Sequence, residues 1–554
     1  DPRLVERGLD VLRVRWLGRV PYREALALQT AIFDHRREQY LLFQEHPHVF
    51  TYGPRADLAT NLKCDPAAVG ADFVSVKRGG DITYHGPGQL VGYPVLNVDN
   101  RLGATDHVCN VEQLVIDTLH QLGVSGAGRL PGYAGVWLDP ETDRKRKICA
   151  IGVRLANGRT MHGFALNIDP DMTYLREHIV PCGIGEFPVT SLAEEGCTAD
   201  MAEVVAIMTA LAVDRWGGGV GERQDVAWVH RPEDLSLFSR GAGPGEPVRM
   251  RARLAASGVT EGLDVTERKP EWLRPKVEIG PEVLQTKKVL SDLNLVTVCE
   301  EAGCPNLSEC WKDGTATFMV LGERCTRACG FCLVDTRKPL DPDIDEPVRV
   351  AEAVTRMGLT HVVLTMVARD DLEDGGMGHV AQCVEAIRAQ QPDARIETLV
   401  SDGKGDPTSF EVLLAARPDV FNHNIETVAR LQRAVRPSAG YARSLAVLSR
   451  AKAAGLLTKS GLVLGMGETV AEVDGCLADL AAVGVDIVTI GQYLRPTSHH
   501  LPVARWIHPD EFRRWKDVGE SLGIGHVESS PLTRSSYHAR QAADAVPVTI
   551  GARR

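Results

Sequence analysis

The sequence predicts an α/β multidomain protein: an α/β domain of segregated elements, then a parallel (βα) barrel, complete or partial. Three observations carry this. The chain has 554 residues, and one domain usually takes roughly 100–200. A Gly- and Pro-rich stretch, SRGAGPGEP from Ser239, breaks both helix and strand patterns. Beyond it, strands and helices alternate for about 200 residues, as in a parallel α/β fold. We therefore expect domains at 1–238 and 271–554, with 239–270 as linker. No repeat of 20–50 residues is visible.

In the first domain, FVSVKR and LVGYPVLNV read as strands. CNVEQLVIDTLHQLG reads as an amphipathic helix, with apolar residues at 3–4 spacing and Gly123 at its end. ICAIGVRL and HGFALNI read as strands. In the second domain, ATFMVLG is a strand and VRVAEAVTRMGL a helix. HVVLTMV, RIETLV, DVFNHNIE, LLTKSGLVLG and DIVTIGQYL are further strands. Helices from Gly378 to Gln390, in YARSLAVLSRAKAAG and in VAEVDGCLADLAAVG alternate with them.

Composition is that of ordinary globular cores, with 44% hydrophobic and 24% charged residues. A net charge of −11 argues against nonspecific nucleic-acid binding, because nothing neutralises phosphates globally. No run of 18 apolar residues exists, so no membrane span is expected. The first residues lack the apolar core and small-residue cleavage site of a secretory signal. A cytoplasmic location is expected. The absence of an initiator Met leads us to expect a trimmed sequence.

Thirteen cysteines are spread unevenly. Residues 1–240 hold five, and 241–554 hold eight, six of them between Cys299 and Cys332. An odd, clustered count argues against a disulfide framework and for a metal site in a reducing compartment. Cys299, Cys304 and Cys310 are spaced C-x4-C-x5-C, and Cys325, Cys329 and Cys332 are spaced C-x3-C-x2-C. Thiolates suit iron–sulfur clusters or zinc. Structural zinc prefers closed sets of four, often paired C-x2-C knuckles. Two separate triads match that poorly. Three cysteines on one short loop can hold three irons of a cubane and leave the fourth open. The second triad follows ATFMVLG, at the face where such barrels react. Asn422, His423, Asn424 and Glu426 end a strand at the same face. They either contact a ligand or close a polar barrel mouth. Cys383 and Cys476 sit singly in helices and read as buried free thiols.

The cysteine loop, with CEEAGCPNLSECW, ERCTRACGFC, FNHNIETVARLQRAVRP, GQYLRPTSHHLPVARW and RSSYHA, resembles the lipoyl synthases of the radical S-adenosylmethionine (radical SAM) superfamily. The resemblance runs from about Trp272 to the end and implies a radical SAM partial parallel (βα) barrel. It implies that Cys325, Cys329 and Cys332 bind a catalytic 4Fe–4S cluster whose open iron takes S-adenosylmethionine. It implies an auxiliary 4Fe–4S cluster on Cys299, Cys304 and Cys310. A serine of RSSY would be its fourth ligand: Ser536 by preference, or its neighbour Ser535. A serine oxygen is a harder, weaker ligand for this iron than thiolate, so it can leave. Sulfur from that cluster would enter C6 and C8 of an octanoyl chain on a carrier-domain lysine. A low-potential electron donor is implied too. The alternative is a non-catalytic iron–sulfur scaffold, although a carrier usually closes its clusters with four protein ligands.

In the first half, RGGDITYHGPGQLVGYPVL combines glycines that allow close backbone approach with Arg78, Tyr84 and His85. Together with KICAIGVRLANGRTMHGFALNID and IVPCGIGEFPVTSL, it resembles the lipoyl(octanoyl) transferases, from about Val11 to Val229. That implies a biotin/lipoate protein ligase-like α/β domain. It implies Cys182 as nucleophile and Lys147 as its partner in acyl transfer. Free thiols titrate near about 8.5, and a nearby amine lowers that value or takes the proton. The acyl pocket would be lined by Arg78, Gly79, Gly80, Asp81, Ile82, Thr83, Tyr84 and His85. Ala150, Ile151, Gly152, Gly163, Phe164 and Ala165 would complete it. His85 and His162 read equally as pocket or core histidines. The donor would be octanoyl-acyl carrier protein. Acceptors would be lipoyl carrier domains of 2-oxoacid dehydrogenase complexes and the glycine cleavage H protein. The basic run from Arg144 to Lys147 either steers an acidic carrier or is a solvated loop, and Lys147 would have to turn inward. The alternative is an ATP-dependent lipoate ligase, which needs no cysteine. Cys64, Cys109, Cys149 and Cys197 carry no motif.

Overall fold

The computed structural model describes residues 11–35, 38–98, 103–228, 253–263, 266–274, 280–298, 304, 306–312 and 316–546. The chain divides into two compact units, Asp1–Trp228 and Val229–Arg554. Of the expected linker, 239–252 lies outside the described residues. Residues 253–263 belong to the second unit, where Leu254 is buried and Leu263 N–H donates to Val503.

The first unit contains β1 (Leu12–Arg19), β2 (Gln39–Glu45), β3 (Val49–Tyr52), β4 (Asp72–Ser75), β5 (Thr83–His85) and β6 (Gln89–Val95). It continues with β7 (Ala127–Leu130), β8 (Tyr133–Leu138), β9 (Arg146–Ala156), β10 (Arg159–Asn167) and β11 (Gly221–Asp225). Eight strands form a mixed sheet in the order β11-β1-β2-β6-β10-β9-β8-β7. A small sheet, β4-β3-β5, stands apart from it. The expected helix spans Ala104–Gln121. Its buried Val111, Leu114, Val115 and Leu119 join one apolar core with strand residues Val136, Ile148 and Leu166. Each such side chain, once buried, stabilises by about 1.5–3 kcal/mol.

The second unit carries seven parallel strands in chain order: β12 (Thr317–Val320), β13 (His361–Met366), β14 (Arg395–Leu399), β15 (Val420–Asn422), β16 (Leu457–Leu464), β17 (Ile487–Gln492) and β18 (His526–Ser529). This is the partial parallel barrel that the alternation predicts. Strands covered on both faces run near-continuously apolar, as in HVVLTM of β13. Helix Glu346–Met357 buries Val350, Ala351, Ala353 and Val354 and ends at Gly358 with φ +61. Among the described residues, no helix is long and apolar enough to cross a membrane.

One polar knot sits inside the barrel. Lys459 on β16 and Glu397 on β14 are fully buried, with N···O distances of 3.0 and 3.1 Å. Asn422 also donates to Glu397, at 2.8 Å. Burial works to raise the Glu397 carboxyl, but Lys459 and His361 outweigh it and hold it down at about 2. β15 ends at Asn422, and His423, Asn424 and Glu426 follow at its C-terminal rim, with Glu426 bridging to Leu462 of β16.

Candidate functional site

In the first unit, β9 pairs with β10 so that Ala150 faces Ala165, Ile151 faces Phe164 and Gly152 faces Gly163. All six line one cavity of about 250 Å³. Arg78, Gly80, Thr83, His85, Cys182 and Lys147 line it too. Gly79, Asp81, Ile82 and Tyr84 are absent from that lining. Gly79 donates its N–H to Val153. Asp81 accepts from the N–H groups of Asp57 and Ile82 and from the Asn61 amide. The Ile82 carbonyl accepts from Cys182 N–H at 2.8 Å. Tyr84 turns to a separate cluster, where it meets His48 Nδ1 at 2.8 Å and stacks on Tyr174. Of these four, Ile82 bonds the Cys182 turn directly.

Lys147 is 5% exposed. Its Nζ stands 3.6 Å from Cys182 Sγ and 5.4 Å from the centre of the Trp137 ring. Gly135 makes room for it: φ is +126, and a Cβ there would stand 2.6 Å from Lys147 Cε. Cys182 lies in a tight turn at φ 59, ψ 16. The left-handed region costs a non-glycine residue about 1–2 kcal/mol, so surrounding bonds must hold the thiol there. The basic run divides. Arg144 is exposed, Arg146 is ion-paired with Asp139 and Glu195, and Lys147 turns inward.

Local motifs do not reveal Tyr22, Tyr93, Tyr133, Ala134 and Ile184, which also line the cavity. Tyr22 opens the helix Tyr22–His35, and Tyr93 lies on β6. His162 lines the cavity as well. Burial lowers His162 to about 3, takes His85 well below the usual histidine range, and raises Tyr22 to about 12. These three side chains are polar and neutral, and Arg78 and Lys147 line the same cavity.

In the second unit, Cys304, Cys325, Cys329 and Cys332 line a cavity of about 630 Å³ together with Ser535 and Ser536. Cys310 lies on the helix Leu307–Lys312, outside that lining. Cys299 lies outside the described residues. The Asn306 amide donates to the Leu532 carbonyl at 2.8 Å, and the Tyr537 hydroxyl to Glu309 at 3.1 Å. These bonds tie the first-triad segment to the RSSY segment. The Ser535 hydroxyl accepts from the Asn424 amide at 2.5 Å.

The C-x3-C-x2-C loop is pinned by its backbone. Cys325 N–H donates to Asp335, and Gly330 N–H to Val435, both at 2.8 Å. His423 lines the cavity while bonding Val400 and Ser444 through its two ring nitrogens, and Asn422, outside the lining, bonds Glu397. Asn424 and Glu426 face the cavity. Asn424 Oδ1 and Glu426 Oε2 are buried without a hydrogen-bond partner. Burial pushes Glu426 and the thiols of Cys304, Cys325 and Cys329 upward. Cys383 and Cys476 are both buried.

Among the described residues, no three His, Cys, Asp or Glu side chains form a ready cage for a single ion. A cubane takes one thiolate per iron, so its ligands stand wider than those around one ion. Three thiols on one loop, two unpartnered buried acceptors and Arg436 share a single cavity. That donor set fits a cluster with an open iron beside a ligand rich in hydrogen-bond donors.

Three family models match the chain. Residues 21–211 match the lipoyl protein ligase A/B catalytic domain, 255–304 the N-terminal domain of lipoyl synthase, and 319–480 the radical SAM superfamily. A lipoyl synthase of Rubrobacter xylanophilus is 53% identical over 288 residues, covering 51% of this chain and 90% of that protein. One of Chlorobium limicola is 53% identical over 277 residues, covering 50% and 95%. A solved lipoate-protein ligase A bound with ATP is 17% identical, covers 39% of this chain and 90% of its own, and has a TM-score of 0.34. At that score the likeness carries no further weight. The radical SAM match implies 4Fe–4S chemistry with S-adenosylmethionine, which the donor set above fits. In one polypeptide, then, a lipoyl protein ligase A/B catalytic domain precedes a radical SAM region, and through that region the chain belongs to the lipoyl synthase family.

Proposed function

We propose that the chain makes protein-bound lipoyl groups in two steps. The first domain, 1–238, moves octanoyl from octanoyl-acyl carrier protein to a lysine of a lipoyl carrier domain. The second, 271–554, inserts sulfur at C6 and C8 of that chain. Residues 239–270 link them. Acceptors are the carrier domains of 2-oxoacid dehydrogenase complexes and the glycine cleavage H protein. The reaction takes place in the cytoplasm.

One observation carries the first step: the 3.6 Å approach of Lys147 Nζ to Cys182 Sγ. Cys182 passes its proton to Lys147, and its sulfur takes the acyl group from the carrier thioester. The carrier thiol leaves with a proton. The acceptor lysine then attacks the acyl-cysteine, forms the amide and releases Cys182. Tyr22, His85 and His162 give the cavity a neutral stretch of wall for the chain, beside Arg78 and Lys147.

For the second step, Cys325, Cys329 and Cys332 would hold the catalytic cluster. Cys299, Cys304, Cys310 and Ser536 would hold the auxiliary one. When bound, these clusters and S-adenosylmethionine supply hydrogen abstraction from unactivated carbon and the sulfur atoms, with electrons from a low-potential donor. This chain's residues orient and shield. Asn424 and Glu426 offer buried acceptors to the ligand. Asn424 engages Ser535, which favours Ser536 over its neighbour as the cluster ligand.

The test supplies octanoyl-acyl carrier protein, apo carrier domain, S-adenosylmethionine and reductant to the reconstituted chain. Mass spectrometry of the carrier lysine should show octanoyl without ATP, then a two-sulfur product. Octanoylation that required ATP and free octanoate would replace the transferase reading with a ligase. Failure to form 5′-deoxyadenosine would leave the second domain a scaffold.

A further inference from the structure

Three consecutive strand ends of the second unit meet at one guanidinium. Arg327 lies in the loop between Cys325 and Cys329 and is 7% exposed. It donates to Asp370 through Nε and Nη2, at 2.7 and 2.8 Å. Nη2 also donates to Asp402 Oδ1 at 2.5 Å. Asp370 follows β13, and Asp402 follows β14. Asp402 is wholly buried, and Arg443 stands 3.8 Å from its other oxygen.

Such an arrangement is a poor way to gain stability alone. Well-packed apolar groups do as well as a buried ion pair. Burial works to raise the Asp402 carboxyl, but Arg327 and Arg443 outweigh it and hold it below the usual range. The negative charge is therefore present at neutral pH. It sits behind a loop that carries three thiols, in an interior where charges act strongly over several ångströms. The backbone repeats the same anchoring: Thr326 N–H donates to Ala368, and Asp370 N–H to the Thr326 hydroxyl, both at 3.0 Å.

We propose that Asp402 is a positioning residue for the cluster-binding loop: through Arg327 it sets the span from Cys325 to Cys329 and keeps a fixed negative charge behind the three thiols. The inference rests on the reading that these thiols hold the catalytic cluster. One-electron reduction adds negative charge there, and a nearby fixed carboxylate opposes it. Loss of that charge makes reduction easier.

The full chain, reconstituted anaerobically with iron and sulfide, provides the test. Asp402→Asn keeps an oxygen to accept the Arg327 bond but removes the charge. The readouts are iron content, melting temperature, and a redox titration of the EPR signal that S-adenosylmethionine perturbs. Expected for Asp402→Asn are wild-type iron and melting temperature, a more positive midpoint potential, and a weakened spectral response to S-adenosylmethionine. In an Arg327→Gln background, Asp402→Asn should cause no further loss of the S-adenosylmethionine response, because that effect runs through Arg327, while the shift in potential from the lost charge persists. A wild-type potential and spectral response in Asp402→Asn would overturn the proposal. So would losses of the S-adenosylmethionine response that add fully to those of Arg327→Gln. Lost iron or early melting in Asp402→Asn would make the residue a structural support only and overturn it as well. The parent reading fails differently: the S-adenosylmethionine-sensitive signal would survive replacement of Cys325, Cys329 and Cys332 by alanine.

Discussion

The first unit brings a thiol and an amine to 3.6 Å within a cavity of about 250 Å³. The second arranges thiols, two buried acceptors and a serine pair around about 630 Å³. On the proposed reading, the first site contains both reacting groups as side chains, one of them on a strained turn. The second is built to hold groups that carry the reactivity. The first unit lines its cavity with histidines and tyrosines beside Arg78 and Lys147, and the second buries an ion pair, Lys459 and Glu397, inside its barrel.

That contrast makes the two activities separable by single residues. Cys182→Ala should lower octanoyl transfer by about a thousandfold or more, since it removes the nucleophile. It should leave 5′-deoxyadenosine formation intact, and Cys329→Ala should do the reverse. Both products are read by mass spectrometry, and a variant that lost both would erase the division. Lys147→Met should slow acyl transfer by about 10²–10⁴-fold, the range for a lost proton acceptor. Single-turnover trapping of the acyl-cysteine would show whether the first half-reaction is the one affected.

Lys459→Met should destabilise the second unit by about 3–5 kcal/mol, because it leaves Glu397 buried and unpaired. Denaturant unfolding should show that loss with acyl transfer unchanged. The smallest effect is acid sensitivity. Burial lowers His46 and His107 to about 4 and His162 to about 3, and takes His85 well below its usual range. Their stabilising contribution is complete above the unfolded value near about 6.5 and is lost as pH falls toward the folded values. Each costs at most about 1.4 kcal/mol per pH unit. In the second unit, burial holds His423 down at about 4. Glu397 contributes only to losses below about 4.3, towards 2. Hydrogen exchange between pH 6.5 and 5 should therefore loosen the first unit more. Equal loosening would remove this part of the contrast.

The barrel was legible because parallel strands covered on both faces are written as short apolar runs between amphipathic helices. The final strand, HVES, escaped that reading because only Val527 is buried. In the first unit, LRVRWLGR hides its strand character. Arg15 is 2% exposed within it, paired with Glu222 at 2.7 Å. A buried charge looks like a surface residue until its partner is known.

By itself the sequence determined what local spacing can encode: the two cysteine triads, the glycine-rich stretch, the PCGIG thiol and the strand–helix alternation. Tertiary structure alone decided that Lys147 reaches Cys182 across 35 residues and that Arg327 reaches Asp402 across 75. It also decided that Asp81 bonds Asn61 and Tyr84 joins a separate aromatic cluster while Tyr22 and Tyr93 line the cavity. The reason is physical. Ligand spacing along a loop is set by covalent reach, whereas distant side chains meet only where sheet register and helix packing carry them.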